Sequence, residues 1–117
     1  KNRLPTRTYT PVANTVLGLF LVLLKGEMLG DGDRGVYNVG LDSPELTVAG
    51  LCAHIGRVTG RDVRHEIVPP PGNYATEPMR RCPDITKLKA LGFLPVVDLD
   101  TGLDRFMSWA LATYKGE

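Results

Sequence analysis

A chain of 117 residues with 43% hydrophobic and 23% charged residues fits one folded domain and is too apolar to remain disordered. A net charge of +1 excludes a general nucleic-acid binder, which needs a strongly basic face. Two cysteines, Cys52 and Cys82, are too few for a disulfide scaffold, and Cys52 sits in an apolar helical pattern, so both read as reduced thiols of a cytoplasmic protein.

The first residues are polar and basic, without the apolar stretch and small-residue cleavage site of a signal peptide. Lys1 in place of Met reads as the start of a fragment of a longer polypeptide. Residues 6–12, rich in Thr, Tyr and Val, predict a strand that ends where Pro11 cannot donate to a ladder. Asn14 is the expected N-cap of the next helix. Residues 16–24 are apolar except Gly18, and Lys25-Gly26 stops them. Nine residues cannot cross a bilayer, which needs about 20. A helix apolar all round must be covered on most sides, so this one expects a partner layer. A turn over 30–35 leads to an expected buried strand over 35–40. Thr47 opens a helix carrying Val48, Leu51, Cys52, Ile55 and Val58 at helical spacing and closed by Gly60. Alternation over 64–68 suggests another strand, and Pro69-Pro70-Pro71-Gly72 begins a loop to about Met79. Arg80 and Arg81 lie in a basic loop, Asp84 caps a short helix ending at Leu91-Gly92, and Pro95 marks a turn. A final amphipathic helix over 101–114 places Leu103, Phe106, Met107, Ala110 and Leu111 on one face, where Phe106 and Trp109 are expected in the core.

Gly30-Asp31-Gly32-Asp33-Arg34-Gly35 satisfies the spacing of a dinucleotide-binding loop, but a helix precedes it and a strand follows, the reverse of what a pyrophosphate site requires. Two aspartates would also repel the phosphates, so the segment reads as an acidic turn. His54 and His65 lack partners at metal-ligand spacing. Ser43 and Ser108 stand in no nucleophile elbow.

Three segments share a pattern. Arg7-Thr8-Tyr9-Thr10-Pro11-Val12-Ala13-Asn14 opens a strand with arginine and runs into a helix. Gly35-Val36-Tyr37-Asn38-Val39-Gly40 precedes the next helix. Arg80-Arg81-Cys82-Pro83-Asp84-Ile85-Thr86-Lys87, then Leu91-Gly92-Phe93-Leu94-Pro95, Gly102-Leu103 and Trp109, close the chain. Together they resemble the carboxyl-terminal end of the extended short-chain dehydrogenase/reductases, the NAD-dependent nucleotide-sugar epimerases and dehydratases. Two positions depart from that family: Pro11 replaces an aromatic or His, and Asn14 replaces Asp.

The resemblance implies an α/β fold of short strands with packed helices, the small substrate-binding portion of such an enzyme, with the Rossmann cofactor half absent. Residues 1–30 would supply a strand and an apolar helix that pack on that half, and residues 31–117 the substrate-binding subdomain of a nucleotide-sugar-binding region spanning 1–117. The family's catalytic Tyr and Lys, four positions apart, are missing, since none of Tyr9, Tyr37, Tyr74 or Tyr114 has a Lys at that offset. No catalytic residue or metal ligand is therefore assigned. Arg7 and an arginine of the Arg80-Arg81 pair would contact the diphosphate of a UDP- or dTDP-sugar, Arg81 ahead of Arg80 because neighbours on an extended segment point to opposite sides. A guanidinium stays charged and meets phosphate oxygens as a fork. Tyr74 would stack on the base or sugar, or pack on the body of the domain. The parent enzyme would be an epimerase, dehydratase or decarboxylase whose NAD is not bound by this chain, and the partner would be its Rossmann half or a second copy. The competing readings are a free-standing nucleotide-sugar binding module and a non-catalytic remnant acting through a protein partner. No nucleic acid or membrane is expected as partner.

Overall fold

The computed structural model describes residues 4–26, 35–66, 68 and 78–114. The elements run β1 (Thr6–Thr8), α1 (Val12–Lys25), β2 (Glu45–Leu46), α2 (Val48–Thr59), β3 (Arg80–Arg81), α3 (Thr86–Ala90) and α4 (Leu99–Thr113). The fold class is α/β, as expected. One small sheet has the order β2-β1-β3, with β1 antiparallel to β2 and parallel to β3.

The first strand ends at Thr8, four residues earlier than its composition suggests. Pro11, at φ −55°, takes the N-cap position of α1, and its carbonyl accepts the amide of Asn14 at 2.9 Å. Proline suits that start, since its fixed φ costs nothing there and its missing N–H is not needed. Asn14 is therefore not the cap. It lies inside the helix, fully buried, and reaches across the molecule. Its Nδ2 donates to the Val97 carbonyl at 2.6 Å, and its Oδ1 accepts the amides of Val96 and Val97 at 2.9 and 3.1 Å. A buried amide side chain is tolerable only when so satisfied.

The core forms around Leu41, Ile85, Leu88, Leu91 and Phe93, with Leu17, Leu21, Val22, Tyr37 and Val39 packed against it. It thus sits between one face of α1, α3 and the segment at 35–41. Gly18 is where α1 and that segment meet: a Cβ there would stand 2.5 Å from Val39 Cγ1. Gly102 does the same for α4, whose backbone passes so close to Pro11 that a Cβ would stand 2.6 Å from its ring.

Residues 35–40 form no strand, contrary to their β-branched and aromatic content. Side chains take the place of a ladder: Lys87 Nζ donates to the Val36 carbonyl, Asn38 Nδ2 to the Asp84 carbonyl at 3.0 Å, and the Leu41 amide to Thr10 Oγ1 at 3.0 Å. Residues 64–66 are exposed and unpaired with any strand; their alternation has no buried face to define. The expectation for α2 holds at both ends: Thr47 Oγ1 accepts the Gly50 amide at 3.1 Å, and Gly60 closes the helix at φ 64°.

The last helix begins two residues earlier than expected, because Asp98 Oδ1 caps it by accepting the Thr101 amide at 2.7 Å. It packs on α2. Asp100 ties the two together, accepting from two guanidinium nitrogens of Arg57, at 3.1 Å from Nε and 2.6 Å from Nη2, with His54 Nδ1 at 2.6 Å. Phe106 and Trp109 are not core residues. They stand 57% and 52% exposed on the other side, in a row of ring contacts with Tyr114.

Candidate substrate site on the small sheet

The strands at 80–81 read as a loop in sequence because two residues carry no periodicity. Pairing makes them a strand: Thr6 stands beside Arg80 and Arg7 beside Arg81 in the parallel ladder. On the other edge, Thr8 stands beside Glu45 and Arg7 beside Leu46. Since paired residues share a face and neighbours alternate, Thr6, Thr8, Glu45 and Arg80 lie on one face, and Arg7, Leu46 and Arg81 on the other. Two arginines 74 positions apart in sequence thereby become neighbours on one face, at a strand spacing of about 4.8 Å.

The third arginine is engaged elsewhere. Arg80 forms a fork with Glu45, with Nε 2.9 and 3.0 Å from the two carboxylate oxygens and Nη2 2.8 Å from Oε2. The Thr6 hydroxyl donates to the same carboxylate at 2.5 Å. These donors, Arg80 foremost and then Thr6, hold the Glu45 carboxyl below its usual range, and the Glu45 carboxylate in turn raises Arg80. Glu45 was absent from the sequence-based candidates: it sits in a Pro44-Glu45-Leu46 stretch with no pattern of its own, and only the pairing of β1 reveals it.

Beyond β3 the chain enters α3 through Asp84, whose Oδ1 accepts the Thr86 amide at 2.9 Å; the N-cap position expected of Asp84 is taken by Ile85, one residue later. Donation from Thr86 depresses its pKa. Lys87 on α3 lies 4.7 Å over the ring of Tyr37. Tyr74 falls outside the described residues. No group of His, Cys, Asp and Glu among the described residues is arranged to hold a metal ion, and no helix among them is long and apolar enough to cross a membrane.

A separate cavity of about 420 Å³ opens between the turn after β1 and the first half of α4, walled by Tyr9, Pro11, Val97, Leu103, Phe106 and Trp109. Its lining is mainly apolar, and Val12 at its edge begins a stripe along α1. Val12, Val16, Leu19, Phe20, Leu23 and Leu24, at helical spacing, are all exposed. The helix that composition marks as needing cover on most sides has its core contacts on one face only.

Among characterised proteins, the chain is similar to UDP-glucuronate 4-epimerase 5 of Arabidopsis thaliana, with 33% identity over 92 residues. The match takes in 78% of this chain and 20% of the plant protein, so the chain spans about a fifth of the length of that relative. No protein-family model matches it, and neither does any solved structure. Over most of its length, then, the chain is similar to part of a nucleotide-sugar epimerase.

Proposed function

We propose that this chain is the nucleotide-sugar-binding portion of an NAD-dependent epimerase or dehydratase of the extended short-chain dehydrogenase/reductase type, with Arg7 and Arg81 as the diphosphate ligands. The observation that carries the reading is the parallel register that sets Arg7 beside Arg81 on one sheet face. A diphosphate offers oxygens on two phosphorus atoms, and two neighbouring guanidinium forks match that spread with charge-assisted hydrogen bonds. Arg80, held by Glu45 on the opposite face, is left out of the site. The similarity to a UDP-glucuronate epimerase supports a uridine nucleotide as the first ligand to test.

NAD belongs, on this reading, to another part of the enzyme. The strand-to-helix turns among the described residues, at 9–11, 47 and 82–85, contain no glycine. They do not offer the close-approach turn that a dinucleotide pyrophosphate needs. The described residues therefore offer no fitting turn for the cofactor, and on this reading the hydride chemistry is placed elsewhere in the enzyme. The exposed stripe of α1 and the adjoining cavity are the surface against which the cofactor-binding half would pack, since the chain accounts for about a fifth of its relative.

The test is titration of the chain with UDP and a UDP-sugar. Arg81→Ala is expected to weaken binding about tenfold or more, the loss of one charge-assisted contact. Arg64→Ala, which removes the same charge from a side chain 93% exposed and paired with Asp62, is expected to change it little. Equal losses in the two variants would reduce Arg81 to a solvated surface charge.

A further inference from the structure

The sheet that presents the two arginines is very small: β1 has three residues, β2 and β3 two each. So short a ladder does little by itself to keep β3 in register. What spans it is a single carboxylate. Glu45 is on β2 and Arg80 on β3, on opposite sides of β1, and their fork passes over β1, where the Thr6 hydroxyl joins it. One side chain thus ties all three strands on one face.

We propose that Glu45 is a positioning residue for the anion site on the other face: by anchoring Arg80 across β1, it holds Arg81 at the side of Arg7. The inference rests on the reading of Arg7 and Arg81 as diphosphate ligands. Its logic is the two-residue period of a strand, in which fixing the side of Arg80 fixes the opposite side for Arg81. Glu45 itself touches no phosphate. Its oxygens already accept from Thr6 and from Arg80 on their own face.

This assigns Glu45 an effect opposite in sign to that of its charge. Removing a carboxylate near an anion site strengthens anion binding if only long-range electrostatics act. If Glu45 positions Arg81, its removal weakens binding although the chain becomes more positive.

The experiment is calorimetric titration of the whole chain with UDP, using the unaltered protein, Arg81→Ala, Glu45→Ala, Glu45→Gln and the Glu45→Ala/Arg81→Ala double variant. Amide hydrogen exchange is followed in parallel over residues 79–82. Glu45→Ala is expected to lose about tenfold in affinity, and Glu45→Gln, which can still accept from Arg80, to recover most of it. The double variant should bind little worse than Arg81→Ala alone, the coupling expected when one residue acts through the other. Exchange over 79–82 should quicken in Glu45→Ala while α2 and α4 keep their protection, which separates a loosened strand from an unfolded chain. Affinity equal to or above that of the unaltered protein in Glu45→Ala, or losses that multiply in the double variant, would overturn the positioning role alone. An unaltered chain that ignores UDP, or an Arg81→Ala variant that binds like it, would instead overturn the diphosphate site on which the inference stands.

Discussion

Asn14 shows how a single amide can join distant parts of a chain. Its three hydrogen bonds close on residues 96 and 97, and Val97 is itself buried. Asn14→Ala removes both partners of the Val97 amide and carbonyl, so two buried backbone groups lose their bonds. At about 1–3 kcal/mol for each such group, an overall cost of about 2–6 kcal/mol is expected, measurable by urea unfolding. A cost below 1 kcal/mol would mean that water replaces the side chain. Sequence could not reveal this role. An Asn two residues after a Pro-Val start looks like a cap, and its true partners lie more than 80 positions away. Asp98 was missed too, and the helix was expected to start at 101, although Asp98-Leu99-Asp100-Thr101 has the acceptor three residues before the amide it caps, a spacing that a local reading can find.

At the level of elements, α1 carries both the clearest sequence signal and the largest open question of packing. Its apolar run is visible at a glance, and the resulting expectation of a covering layer stands beside a structure in which one face is buried and the other bare. The stripe from Val12 to Leu24 is about 18 Å long at 1.5 Å per residue. Bare apolar stripes of this size associate. The isolated chain is expected to sediment as a dimer or larger species, and replacing the exposed Leu19 and Leu23 with Lys should give a folded monomer with unchanged circular dichroism. A monomeric unaltered chain at high concentration would count against a missing partner layer. Helices α2 and α4 were readable because periodicity over a dozen residues or more is a strong signal, and α1 because its apolar run is nearly unbroken. Among the strands, β1 was readable from its Thr, Tyr and Val content, though not its end at Thr8; β2 and β3 were not, being two residues each and existing only through pairing with β1, while residues 35–40 have strand composition without a strand to pair with. The arginines were chosen by resemblance, and their adjacency came from the ladder.

For the molecule as a whole, surface area carries the same message as α1. The chain exposes 8987 Å², against roughly 6,300 Å² for a compact monomer of its mass. Its radius of gyration of 17.3 Å likewise exceeds the roughly 13 Å typical of its length. With a modest core, the molecule uses carboxylates at or near its surface to join its parts. Glu45 ties the three strands, Asp84 accepts the first amide of α3, Asp98 caps α4 and Asp100 holds α4 to α2. All four have pKa values depressed by the donors they accept from; for Asp100 these are His54 first and then Arg57. A carboxyl with a folded pKa below its unfolded one stabilises fully above the unfolded value and ceases to do so as pH falls through the folded value. Stability should therefore be level near neutrality and fall from about pH 4.5 downward. In Asp100→Asn the fall should be shallower, read as urea midpoints at pH 7 and pH 3; an identical decline would show that Asp100 contributes nothing to the linkage.

The bond between Asn14 and residues 96–97 also sets an order of events during synthesis. The apolar helix is made first and the backbone that clamps it comes 83 residues later. At translation speeds of 5–20 residues per second, the nascent helix waits roughly 4–17 s for its clamp. Throughout that interval its amide side chain bonds only water and both its apolar faces are open, so the nascent helix has hydrophobic surface to be shielded until residues 96 and 97 arrive.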